Sequence, residues 1–393
     1  MTLELDNFQT IFTADTPLLD VRSPIEFAKG SLPAAVNAPL MEDAEREAIG
    51  ICYQQSGQAA AIRLGHELVS GAIKEARVAR WKQFAETNPH GALFCFRGGL
   101  RSEITQQWLT EVGISYPRIK GGYKSIRQWL SQKTEAAIAS TSLLLVGGQT
   151  GVAKTRLLNE GASGHPIPGS IDLEGLANHR GSAFGRRVTA QPTQIAFELA
   201  LGVALVQQQS GNYRFLILED EGRLIGRCAL PPTLHATRGK ADWVRVEASL
   251  TERVDHSYDN YILGNLQEHM NLGEPRAFEI FSEDLVDALE RIRNRLGGKR
   301  HTELHRIMQD ALISHRQGDP EQHKLWIEAL LTDYYDPMYE HQMKQRALAP
   351  VFQGTRQEVT EFLLEMTEQG TLPNSTRKIR KQFAVQSWPS PRS

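Results

Sequence analysis

The segment Ala92-Leu93-Phe94-Cys95-Phe96-Arg97-Gly98-Gly99-Leu100-Arg101-Ser102 decides how the N-terminal part of the chain folds. Its short apolar run predicts a buried strand ending at Cys95. Gly98-Gly99 predicts a tight loop, and Ile104, Trp108 and Val112 stand at helical spacing beyond it. A loop that opens a helix turns backbone N–H groups and the positive end of the helix dipole towards the sulfur, and Arg97 and Arg101 add full charges. Each of these favours an anionic sulfur, which makes Cys95 a candidate nucleophile with Arg97 and Arg101 as its partners. A buried structural cysteine is the competing reading, and it needs neither the glycines nor the arginines.

Working outward, Leu18, Leu19 and Val21 suit a short buried strand, Ser23-Pro24 a helix start and Gly30 its end, and a second short strand follows at Ala35 to Asn37. Gly65, Leu68, Val69, Ala72, Ile73 and Ala76 predict one long amphipathic helix over residues 59–77. Gly121-Gly122-Tyr123 opens a last helix through Ile126 and Leu130. Strands alternating with helices imply a parallel sheet, and such sheets place chemistry at the carboxyl end of a central strand.

Residues 134–141 read as a connector. After them, Ser142 to Leu158 gives a strand, the turn Gly147-Gly148-Gln149-Thr150-Gly151-Val152-Ala153, and a helix opening at Lys154-Thr155. This is the context of a phosphate-binding P-loop, with Gly148 and Gly151 in the loop, Lys154 on the outer phosphates and the Thr155 hydroxyl placed for a metal ion. The strict pattern has Gly where Ala153 stands, so the substitution is harmless only if that position has negative φ. Leu216-Ile217-Leu218-Glu219-Asp220-Glu221 is an apolar strand ending in acids, of the kind that holds magnesium or its water beside a phosphate. A solvated strand end is the alternative. Helical patterns then cover residues 251–264, 282–296, 302–316, 321–345 and 357–368, and a basic tail over 371–393 is expected to be mobile.

At 393 residues, 40% apolar and 23% charged, the chain has the size of two domains and the composition of a soluble globular protein. No run reaches the roughly eighteen apolar residues of a spanning helix, and the N-terminus lacks a signal-peptide pattern, so no membrane association and a cytoplasmic location are expected. Three scattered cysteines, Cys52, Cys95 and Cys228, form neither a disulfide framework nor a zinc-ligand spacing, and no metal ligands are assigned. A net charge of -2 leaves nucleic-acid binding to local basic segments such as Arg291, Arg293, Arg295, Lys299 and Arg300, or Arg377, Lys378, Arg380 and Lys381. Either segment also reads as a solvated face.

Asp20-Val21-Arg22-Ser23-Pro24-Ile25-Glu26-Phe27, Gly30 with Leu32-Pro33-Ala34-Ala35-Val36-Asn37, and the Cys95 loop resemble a rhodanese domain over about residues 10–133. Five residues separate Cys95 from Arg101, a larger loop than in many rhodaneses and similar to that of the related cysteine phosphatases. Sulfur transfer and phosphatase chemistry both fit at this point. The overall architecture is then α/β: a rhodanese-like parallel-sheet domain (10–133), a linker (134–141), and a P-loop α/β domain with a helical C-terminal extension (142–370).

Further segments resemble the tRNA 2-selenouridine synthase family: Ser170 to Gly185 (SIDLEGLANHRGSAFG), Cys95 to Ser102, Glu219-Asp220-Glu221 leading to Ile225-Gly226, Arg295-Leu296-Gly297-Gly298, and Tyr334-Tyr335-Asp336-Pro337-Met338-Tyr339. Ala153, Gly222 where Ser is expected, and Phe96 where Trp is usual are departures. The resemblance implies conversion of wobble 2-thiouridine to 2-selenouridine in tRNAs for lysine, glutamate and glutamine. Geranyl diphosphate first geranylates the sulfur, and selenium from selenophosphate then replaces it. It further implies a thiolate role for Cys95, and contacts from His179 and Arg180 to diphosphate or uridine. Magnesium and a selenophosphate-producing enzyme are compatible additions. The alternative is an ATP-dependent tRNA sulfurtransferase, a rhodanese fused to a P-loop ATPase.

Overall fold

Leu93 and Phe94 are wholly buried, and they sit in opposite apolar clusters, as adjacent residues of a strand covered on both faces must. The computed structural model describes residues 3–161, 164–346 and 348–371, so the tail from residue 372, with Arg377 to Lys381, lies outside the described residues. The chain divides into two units. The first comprises Met1–Ala139 together with Pro192–Ser210. Its strands β1 (Glu4–Leu5), β2 (Leu18–Asp20), β3 (Val36–Asn37), β4 (Ala92–Phe94) and β5 (Arg118–Ile119) form one parallel sheet in the order β1-β5-β4-β2-β3. Cys95 therefore leaves the carboxyl end of the middle strand.

Three sequence expectations are corrected in this unit. The single helix over 59–77 is divided between two helical runs, Asp43–Leu68, itself broken at Gly57 (φ +79°), and Gly71–Thr87. Ser70 is extended and Gly71 takes φ +51°, which ends one helical run and starts the next. The connector at 134–141 is instead the end of the helix Gly122–Ser140, because Thr134, Ala137 and Ile138 continue the buried stripe of Ile126 and Leu130. Finally, the domain boundary is not a single cut. The helix Gln194–Ser210 belongs to the first unit, where Leu199, Val203 and Val206 pack with Ile11, Phe12, Ile126 and Leu130. Gly30 is required by this helix, since a Cβ there would lie 2.5 Å from Ile195 Cγ2.

The second unit comprises Ser140–Gln191 and the chain from Gly211 onward. Strands β6 (Ser142–Gly147), β7 (Ser170–Ile171), β8 (Phe215–Glu219), β11 (Asp242–Glu247) and β12 (Phe352–Thr355) make a parallel sheet ordered β12-β11-β6-β8-β7. β9 (Leu224–Ile225) and β10 (Cys228–Ala229) form a separate antiparallel pair. The helices from Leu250 to Lys344 are an insertion between β11 and β12 and not a C-terminal extension. They bury their own core around Phe281, Met308 and Trp326. The final helix Arg356–Gln369 returns Val359, Phe362, Leu363 and Met366 to the core of Leu144, Val146 and Val244.

Candidate active site

β6 is the middle strand of the second sheet, and the turn at its carboxyl end opens the helix Lys154–Glu160. Gly148 (φ +152°) and Gly151 (φ +90°) hold backbone positions that a side chain could not share. A Cβ would lie 2.7 Å from the Val246 carbonyl oxygen at Gly148 and 2.8 Å from that of Arg253 at Gly151. Ala153 takes φ +63°, ψ +42°, so the negative φ that would make it harmless is absent and the residue carries left-handed strain. The loop, Lys154 and Thr155 line a cavity of about 1180 Å³, bounded on other sides by Leu224, Tyr261, Met338, Tyr339 and Met343.

The acids divide by role. Glu219 is buried and does not line the cavity; its Oε2 accepts from the Leu173 N–H at 2.9 Å, and Oε1 has no partner among the described residues. Burial, with Asp172 and Glu174 nearby, pushes its carboxyl well above the usual range. Asp220 is taken by Arg238, at 2.7 Å, and by Arg346. Glu221 does line the cavity, and burial together with the repulsion of Glu174 pushes it up to about 8 against the pull of Lys154. Glu174 accepts from the Thr155 hydroxyl at 2.8 Å, and burial raises its carboxyl also. Hydroxyl, lysine and carboxyls thus converge at the helix N-terminus, where anions are favoured.

Arg253, almost fully buried, grips Asp336 with bonds of 2.6 and 2.7 Å and reaches the Thr150 carbonyl at 3.4 Å. This ties the P-loop to the Tyr334–Tyr339 segment. A π-helical stretch, Leu331–Tyr335, precedes Asp336, and another, Asp259–Leu263, carries Tyr261; both tyrosines, Tyr261 and Tyr335, face the cavity. Arg180 lines the same cavity but is ion-paired to Glu268 at 2.7 Å, while His179 lines a neighbouring one.

In the first unit, Cys95 is 3% exposed, with Sγ 3.3 Å from Ser102 Oγ and 3.9 Å from the Gly99 carbonyl. The Ser102 hydroxyl also lies 2.9 Å from that carbonyl, so its one proton serves either the carbonyl or the sulfur. Arg97 is exposed on the loop, and Arg101 is bound by Glu26 at 2.5 and 3.0 Å. Tyr123 and Lys124 donate to the carbonyls of Cys95 and Phe96, both at 2.9 Å. This close approach explains the second glycine of Gly121-Gly122, where a Cβ would stand 2.3 Å from the Cys95 carbonyl oxygen. Beside the loop, Leu100, Arg101, Ile104 and Trp108 border an apolar cavity of about 240 Å³.

A family model described as the tRNA 2-selenouridine synthase AAA domain matches residues 141–370. Curated proteins called tRNA 2-selenouridine synthase match as well. That of Hahella chejuensis is 50% identical over 361 residues, covering 91% of this chain and 94% of its own. That of Marinobacter nauticus is 47% identical, covering 93% and 98%.

The chain belongs to the tRNA 2-selenouridine synthase family.

Of the residues singled out in the sequence, the structure brings Gly148, Gly151, Lys154, Thr155, Glu221 and Arg180 to one cavity and leaves Glu219 and His179 out of it. Glu174 and Asp336 lie inside segments that resemble the family, and nothing in their spacing singles them out. Arg253 had no signal, because its helix reads as an ordinary amphipathic one.

Proposed function

We propose that the chain is an enzyme that converts 2-thiouridine at the wobble position of tRNAs for lysine, glutamate and glutamine to 2-selenouridine, in two steps at two sites. The family membership supports the overall reaction. The observation that carries the first step is the composition of the P-loop cavity, in which an anion cradle faces a wall of Leu224, Met338, Tyr339 and Met343. Such a cavity suits a diphosphate with an apolar tail. The uridine sulfur attacks the first carbon of geranyl diphosphate, the C–O bond breaks, pyrophosphate leaves with the electron pair, and the N3 proton of the uridine passes to solvent. Lys154, the loop N–H groups and the helix N-terminus stabilise that departing charge.

The Thr155 hydroxyl with Glu174 and Glu221 supplies hard oxygen donors that fit a magnesium ion, whose charge would assist the same departure.

The second step belongs to Cys95 in a rhodanese-like first unit. The Cys95 thiolate attacks the phosphorus of selenophosphate, the P–Se bond breaks and selenide leaves with the electron pair; selenide adds at C2 of the S-geranyl uridine, geranylthiolate departs, and water then releases phosphate from Cys95. Arg97 and Arg101 meet the phosphoryl charge, and the apolar cavity beside Leu100 and Trp108 suits the prenyl chain. A selenophosphate-producing enzyme would supply the donor, and the setting is the cytoplasm. No described helix is long and apolar enough to cross a membrane.

The test uses the full chain with 2-thiouridine tRNA and geranyl diphosphate, without ATP, read by mass spectrometry of the nucleosides. S-geranyl product is expected, followed by 2-selenouridine once selenophosphate is added. A strict ATP requirement would instead select the sulfurtransferase alternative.

A further inference from the structure

The second cavity of the P-loop unit, of about 600 Å³, is not used by the chemistry above. Its walls carry Arg186, Arg187, Arg227, Arg291 and Arg295, with His179 at the back and no acidic residue. Among the described residues, Arg187 has an ion-pair partner, Glu268 at 3.1 Å, and Arg186, Arg227, Arg291 and Arg295 have none within 4.0 Å. Burial and the repulsion of Arg186 hold Arg291 below its ordinary value, and burial and the surrounding arginines push His179 down to about 4. His179 is therefore a neutral hydrogen-bonding group at neutral pH. It is 7% exposed, and its Nδ1 has no partner among the described residues. Arg291 also donates to the Ala183 carbonyl at 3.0 Å and Arg295 bonds to Tyr334, but neither neutralises a guanidinium charge, so like charges surround an imidazole nitrogen without a partner among the described residues and an anion would meet both.

We propose that this cavity is a second phosphate-recognition site of the P-loop unit and takes backbone phosphates of tRNA. Guanidinium forks match phosphate oxygens in pairs. The cavity far exceeds one phosphate in volume, and Arg186, Arg227, Arg291 and Arg295 are all exposed at its rim, as a polymer that must come and go requires. It shares Gly181, Ser182, Arg187 and Arg295 as walls with the P-loop cavity, so a strand held here is delivered to the site of sulfur alkylation. The proposal rests on the functional reading above.

The experiment compares the full chain with an Arg186→Gln/Arg227→Gln variant, chosen because both side chains are exposed. Binding of unmodified tRNA is measured by fluorescence anisotropy over a range of KCl, and binding of inorganic pyrophosphate by calorimetry. With an unchanged melting temperature, the variant should bind tRNA about tenfold more weakly at low salt. The slope of log K against log salt should fall by about 2, close to one unit for each phosphate that is no longer neutralised. Pyrophosphate binding should not change. An unaltered tRNA affinity and slope overturns the proposal, and so does a loss confined to pyrophosphate, which would assign the cavity to a small anion. Failure of the unsubstituted chain to bind any tRNA refutes the functional reading itself, and this assignment with it.

Discussion

Glu26 holds Arg101 through two hydrogen bonds of 2.5 and 3.0 Å while its carboxylate also accepts from the Ser23 N–H. Burial alone would raise the Glu26 carboxyl, but Arg101 outweighs it and holds it below the usual range, so the pair is ionised. The arginine that closes the Cys95 loop is thus fixed by the helix Pro24–Lys29 that follows β2. Arg101→Lys keeps the charge but not the two-pronged grip. It should lower kcat/KM for selenium transfer by about tenfold, or ~1.4 kcal/mol of barrier. Glu26→Gln, which loosens Arg101 without removing it, should cost less. Equal, undiminished rates in both variants would show that Arg101 takes no part.

Cys95→Ala should stop selenation and leave geranylation intact, so that S-geranyl tRNA accumulates and is seen in nucleoside digests. Loss of both steps would refute the division between two sites.

Gly122→Ala places a methyl 2.3 Å from the Cys95 carbonyl oxygen at φ +57°. A backbone clash combined with left-handed strain should cost about 2 kcal/mol or more. The expected readouts are a lowered urea midpoint and slower selenium transfer, with pyrophosphate binding unchanged.

Ala153→Gly removes a Cβ from a left-handed position. Relief of about 1 kcal/mol or more, less the extra entropy of glycine in the unfolded chain, leaves a net gain of roughly 0.5–1 kcal/mol. Equilibrium urea unfolding checks the sign.

His323 is buried in the helical insertion, its Nδ1 accepting from Trp326 Nε1 at 2.9 Å and its Nε2 lying 3.2 Å from His315 Nδ1. Burial, aided by His315, pushes it down to about 3. The unfolded chain titrates near 6.5 and so binds the extra proton between those values; this stabilisation is complete above about pH 6.5 and is lost as pH falls towards 3. Between pH 7 and 5 the loss from this group should be roughly 2 kcal/mol. A His323→Gln variant should be less stable at pH 7 but lose less over the same interval in thermal melts.

Local order was legible where the chemistry of an element is local. Leu18 to Val21, Ala92 to Phe94 and Ser142 to Gly147 announce buried parallel strands by composition, and the glycine loops after the last two mark the two candidate sites. Long-range partnership was not. Nothing near Glu219 says that its carboxylate caps Leu173 instead of facing the cavity, and nothing near Arg253 names Asp336 as its partner 83 residues on. The return of the chain at β12 leaves no signal in the sequence, because Phe352-Gln353-Gly354-Thr355 is short and not apolar. Its identity as a strand comes from pairing with β11.

The helix Gln194–Ser210 has a consequence for the birth of the protein. Leu199, Val203 and Val206 are part of the core that holds the Cys95 sheet, yet they are made after the P-loop strand and its helix. At synthesis rates of about 5–20 residues per second, the stretch from residue 139 to 210 takes roughly 4–14 s. Through that interval the N-terminal sheet waits with one face incompletely covered. A ribosome that stalls, or a gene that is cut, at the apparent seam near residue 140 therefore releases an unfinished hydrophobic core and not an independently folded unit.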